Sequence, residues 1–176
     1  MTMKILKKLS FAVLALATLQ ANAQTDKATT AKIIAEKKYV FVATSALPLN
    51  ANDINNVLSR MPGNVSAGAI NLNGSNYDVK VVGDSIIAYL PYYGRSFSAP
   101  INRDDSGIKF TSTEFSYDAE KRKKGWQIAI KTKDTKDSPR LSLNISENGY
   151  GSLVVSTNNK QSITYNGYIA EVARKD

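Results

Sequence analysis

The sequence predicts a mainly β protein, α+β by content: a short N-terminal helix followed by an antiparallel meander of about eight or nine strands curling into a barrel or half-barrel. Three observations predict it. Apolar residues alternate with polar ones in a series of short runs after residue 38. Those runs are punctuated by Asn73-Gly74, Gly83-Asp84 and Asn148-Gly149, dipeptides that suit tight hairpin turns. Only one segment near the start, 27–38, has a helical stripe.

The first 23 residues read as a secretory signal peptide. Lys4, Lys7 and Lys8 form a positive n-region, 9–19 is an apolar h-region, and Ala21-Asn22-Ala23 supplies a small-x-small cleavage site before Gln24. The apolar run is shorter than the roughly 20 residues of a membrane span. The expectation is therefore export to the periplasm or the extracellular space, soluble after cleavage near Ala23-Gln24. Residues 24–176 would form a single globular β domain, with no transmembrane segment in the mature chain.

Thr25 or Asp26 can cap the helix, which would run to about Lys38 with Ala31, Ile34 and Ala35 as its apolar stripe. Tyr39–Thr44 is β-branched and aromatic, a strand by type. Residues 45–62 lose the alternation and read as an irregular loop with one helical turn at 54–58. Short strands then follow at 67–72, 77–82 and 85–90, with a hairpin expected at Asn73-Gly74. Ile108 and Phe110 share one parity and Phe115 and Tyr117 the other, which implies a bulge near Ser112 or Thr113. Trp126, Ile128 and Ile130 face the core, as do Leu141, Leu143 and Ile145. Tyr150–Ser156 and 162–169 end the meander.

Composition closes off several chemistries. The 176 residues include no cysteine and no histidine, which removes disulfides, thiolate chemistry, Cys/His metal sites and the usual general base. No catalytic residue, metal site or cofactor is expected. Leaving out Lys4, Lys7 and Lys8 lowers the formal charge of +8 to +5. This modest excess carries no interleaved aromatic and basic strip, so nucleic acid is not an expected partner.

One stretch stands apart. Tyr89-Leu-Pro-Tyr-Tyr-Gly-Arg-Ser-Phe-Ser-Ala-Pro100 gathers four aromatic residues and one arginine between two prolines that withhold amide donors. Tyr89, Tyr92, Tyr93, Arg95 and Phe97 are the candidate ligand-binding residues. Aromatic faces stack on sugars or apolar ligands, and a guanidinium grips carboxylate or phosphate. The alternative is an aromatic plug over an open end of the core, tied down by Arg95. The basic run Lys121-Arg-Lys-Lys124 reads as a solvated hairpin tip. Glu114, Asp118 and Glu147 are the acids near apolar strands that a carboxylate-dependent hydrolase would have to bring together.

With these strands in place, a set of motifs resembles a known family. Tyr89-Leu-Pro-Tyr-Tyr-Gly-Arg95, Ser98-Ala-Pro100 and Gly107-Ile-Lys-Phe110 open the pattern, and Lys123-Lys-Gly-Trp126, Ile145–Tyr150 and Gln161–Tyr165 complete it. In this order they resemble the exported, mainly Bacteroidota family catalogued as domain of unknown function 4251. The resemblance implies a mainly β, exported or lipid-anchored protein and carries over no activity. The expected function is a non-catalytic binding or structural module of the cell envelope, with an envelope glycan, lipid or protein as candidate partner. A small-ligand carrier with an apolar cavity in the curled sheet is the alternative, and a hydrolase the third reading.

Overall fold

The structure, a computed structural model, describes residues 25–50, 68–98 and 107–172, with isolated positions at 55, 60, 63, 65 and 66. The signal-peptide segment lies outside the described residues. So does most of the helical turn expected at 54–58, of which only Asn55 is described, as helical. Among the described residues, no helix is long and apolar enough to cross a membrane.

Helix α1 (Lys27–Ala35) starts at Asp26, whose carboxylate accepts from the amides of Ala28 and Thr29. It ends before Lys38 because Lys37 turns into the left-handed region at φ 50°. Its buried residues are Thr30, Ile33 and Ile34, so the face that packs is rotated from the stripe read in the sequence.

Among the described residues eleven strands follow: β1 (Lys38–Pro48), β2 (Val65–Ser66), β3 (Ala69–Asn71), β4 (Asp78–Val82), β5 (Ser85–Leu90), β6 (Ile108–Ser112), β7 (Phe115–Arg122), β8 (Gly125–Thr132), β9 (Arg140–Ser146), β10 (Tyr150–Ser156) and β11 (Ile163–Ala170). They form one sheet with the main order β6-β5-β4-β1-β11-β10-β9-β8-β7, and β2 and β3 lie beside it. β1 is therefore central, and it runs four residues beyond Thr44. A register shift between Ala43 and Ser45 flips its parity: Tyr39, Phe41 and Ala43 point inward, then Ala46 and Pro48. That break in alternation is why 45–48 reads as loop in the sequence.

Two further expectations change. Asn73-Gly74 does not join a hairpin, because β3 and β4 do not pair with each other. Both pair with β1, β3 at Ser45–Ala46 and β4 at Lys38–Val42, so the turn only loops the chain out along one edge of β1. Nor is there a bulge at Ser112–Thr113. Every pairing along the sheet is antiparallel, and an even number of pairings separates β6 from β7, so these strands run in the same sense. Parallel neighbours need a crossover of about a dozen residues, yet only Thr113 and Glu114 lie between them. β6 and β7 are thus two halves of one bent run that passes from one edge of the sheet to the other. Asp134 holds the bend, accepting from Ser112 Oγ at 2.5 Å and from the amides of Thr113 and Glu114 at 2.8 and 3.1 Å.

The sheet curls into a half-barrel. In a flat sheet β1 and β7 would lie about 24 Å apart, five strand spacings of roughly 4.8 Å. The hydroxyls of Tyr39 on β1 and Tyr117 on β7 are 3.3 Å apart, so the two strands face each other across the concave side. That side is packed with side chains. Tyr39, Phe41, Ile128, Leu153 and Tyr165 are each fully buried, and Trp126 closes the β8 row. Helix α1 covers the end near the β9–β10 turn, where Lys27 meets Glu147 at 2.7 Å.

Candidate functional site

The aromatic stretch leaves β5 at Leu90 and crosses to the β10–β11 connection as a strap. Leu90 is the last inward residue of β5, and Pro91 cannot donate to a continuing ladder. The strap is held by backbone groups. Gln161 N donates to Arg95 O at 3.0 Å, Phe97 N donates to Asn159 O at 2.8 Å, and Ser96 bridges to Lys160. Ser98 Oγ adds a bond to Asn159 Oδ1 at 2.7 Å. Ala99 and Pro100 lie outside the described residues.

Tyrosines sit under this strap. The single hydroxyl proton of Tyr92 is shared between Arg95 O at 2.7 Å and Gln161 O at 2.9 Å, so one side chain staples both sides of the crossing. Tyr165, buried on β11, donates to Pro91 O. Burial pushes the Tyr165 and Tyr93 hydroxyls up from their ordinary pKa, with neighbouring tyrosines adding to it. Tyr92 and Tyr93 are half-buried against the core. Lys160 Nζ lies 5.1 Å from the Tyr92 ring centroid and donates to Gly107 O at 2.5 Å.

The five candidate residues therefore divide. Tyr92 and Tyr93 face inward, whereas Arg95 and Phe97 lie on the exposed side of the strap, Phe97 at 73% exposure. Tyr89 belongs to the outer face of β5. It is 45% exposed, stacked on Tyr77 with ring centroids 5.6 Å apart, and has Lys109 Nζ at 5.0 Å. Sequence reasoning missed Tyr77, Lys109 and Lys160. Tyr77 precedes β4, so strand parity does not govern it, and Lys160 reaches Tyr92 only through the tertiary crossing.

Beside the strap lies an open groove of about 730 Å³, lined by Ser96, Ser98, Lys109, Thr135, Asp137 and Asn158 among others. Its walls mix polar and apolar surface in similar measure, with Ile108 and Phe110 beside the polar residues. The three acids considered for hydrolysis are not brought together. Glu147 pairs with Lys27 at the helix-covered end. Glu114 sits at the β6–β7 bend, beyond the opposite end of β9, and Asp118 is exposed on the edge strand β7. Among the described residues no group of three or more acids could hold a metal ion.

Fold and site together define a curled antiparallel half-barrel with a helix over one end and an aromatic strap at the other. The chain belongs to the family described as Domain of unknown function (DUF4251), whose model matches residues 21–169. A crystal structure of a DUF4251 family protein from Bacteroides eggerthii is similar, with a TM-score of 0.54 at 10% identity. The match covers 82% of this chain and 87% of that one, and at this identity it speaks for the fold alone. A comparison with functionally curated proteins gives no match.

Proposed function

We propose that the protein is a non-catalytic binding or structural module of the cell envelope, exported after removal of residues 1–23, with the strap as its contact surface. The observation that carries this reading is the combination of a fixed backbone and exposed aromatic faces. Phe97 is 73% and Tyr89 45% exposed, while the chain between them is pinned to 159–161 and to Tyr165. A pre-ordered aromatic surface loses little conformational entropy on binding. The packed interior favours this reading over a carrier.

Sedimentation with isolated envelope fractions tests it. Wild type should co-sediment with membranes or cell-wall sacculi, and the Tyr89→Ser/Phe97→Ser variant, shown to be folded by a cooperative unfolding transition, should not. Equal co-sedimentation of both would remove the strap from the contact. Failure of wild type to sediment with any fraction would remove the binding reading itself. Export is tested by intact mass, which should give a mature chain beginning at Gln24.

A further inference from the structure

The pairing registers place one polar residue from each of six strands in a single row. Glu120 pairs with Gln127, Gln127 with Asn144, Asn144 with Ser152, Ser152 with Asn166, and Asn166 with Ser45. Directly paired residues project from the same face. Their sequence neighbours Trp126, Ile145, Leu143, Leu153 and Tyr165 point into the core, so the row lies on the convex side. Gln127, Asn144 and Asn166 are exposed, and Ser152 and Ser45 half-buried. The groups recur at roughly 4.8 Å, the strand spacing, over about 19 Å from Gln127 to Ser45.

Two features suggest what such a row can hold. From Gln127 to Ser45 it contains no charge, in a chain whose net charge is +8. Gln127 accepts from Arg122 at 2.9 Å, but the side chains of Asn144, Ser152 and Asn166 make no hydrogen bond to another described residue. Next to the row, two residues along β10 and β11, Tyr150 pairs with Tyr168 on the same face, and Tyr150 is 54% exposed. A line of amides and hydroxyls offers both donors and acceptors at regular intervals, and an adjacent phenol ring offers a flat apolar face. An anionic polymer would need cations, which the row lacks.

We propose that the convex face of β8–β11 and β1 binds a neutral polysaccharide laid across the strands, its hydroxyls bonded by Asn144, Ser152 and Asn166 and one ring stacked on Tyr150. This is a surface separate from the strap, and it does not depend on the strap being a contact.

Affinity electrophoresis in gels containing neutral polymers (hydroxyethylcellulose, glucomannan, arabinoxylan) or anionic ones (alginate, polygalacturonate) tests the proposal. Wild type should be retarded by at least one neutral polymer and less by the anionic pair. Asn144→Ala/Asn166→Ala should weaken that binding about tenfold, as loss of two hydrogen-bonding side chains implies. Tyr150→Ala should weaken it similarly and Tyr150→Phe should restore it, while Tyr89→Ser/Phe97→Ser leaves it unchanged. The proposal is overturned by no retardation in any neutral polymer, by retardation only in anionic ones, or by full binding in the Asn144/Asn166 variant. Retardation lost only in the strap variant would also overturn it, and would leave the strap reading standing.

Discussion

The hydroxyl of Tyr165, the third residue of β11, donates to the carbonyl of Pro91, the first residue of the strap. A buried core residue thus fixes the point at which the chain leaves β5. Tyr165→Phe keeps the ring and removes the donor, leaving the carbonyl of half-buried Pro91 without that partner. The expected cost is about 1–3 kcal/mol, read as a lower denaturant midpoint. An unchanged midpoint would mean that this bond does not hold the strap.

Arg95 should matter far less to stability. Its carbonyl, not its exposed side chain, takes the bonds from Tyr92 and Gln161. Arg95→Ala is expected to cost less than about 1 kcal/mol, the ordinary range for an exposed charge. A loss of several kcal/mol in a denaturant melt would show the side chain acting as an anchor.

Asp134 makes the β6–β7 bend sensitive to acid. The Ser112 hydroxyl and the amides of Thr113 and Glu114 lower its pKa from 3.8 to about 2. A depressed acid stabilises the fold fully above its unfolded pKa and loses that contribution as pH falls through the folded value. Asp134→Asn should therefore lower the melting temperature at pH 7, with the gap to wild type closing between about pH 4 and pH 2. A gap that does not change with pH would mean that the carboxylate charge is not what holds the bend.

At alkaline pH the sign reverses. Burial raises the Tyr39, Tyr117, Tyr93 and Tyr165 hydroxyls above the ordinary value of 10.0. Unfolded tyrosines ionise first, so stability should fall as pH rises above 10. Absorbance titration should show a group of tyrosines ionising only together with unfolding. Smooth ionisation of all tyrosines while the fold persists would contradict their burial.

Gly167 tests the packing of the central strands. A Cβ there would collide with Val42 O on β1, a backbone atom that cannot move aside cheaply. Gly167→Ala should cost about 1–3 kcal/mol or more by overpacking. A variant as stable as wild type would mean that β1 and β11 can separate locally.

Much of the fold was legible in the chain because its signals are local. Alternation marks Trp126–Ile130 and Leu141–Ile145, the pair Thr25 and Asp26 marks the helix start, which the structure places at Asp26, and Gly83-Asp84 and Asn148-Gly149 mark two hairpins that the structure contains. The end of β1 was hidden because the register shift at Ala43–Ser45 breaks the period on which strand reading depends. The aromatic stretch could be picked out by composition, but composition does not say which ring faces inward.

The strand-rich class, two of the three expected hairpins and most of the buried faces are written in the local pattern of the chain, since each follows from neighbours a few residues apart. That β6 and β7 are one bent run, that Tyr39 meets Tyr117 and that Tyr92 staples Arg95 to Gln161 emerges from long-range packing. It alone aligned Gln127, Asn144, Ser152 and Asn166 into a row. Sheet order and register join residues far apart in the chain, and the closing of a curled sheet is set by the packing of its whole interior.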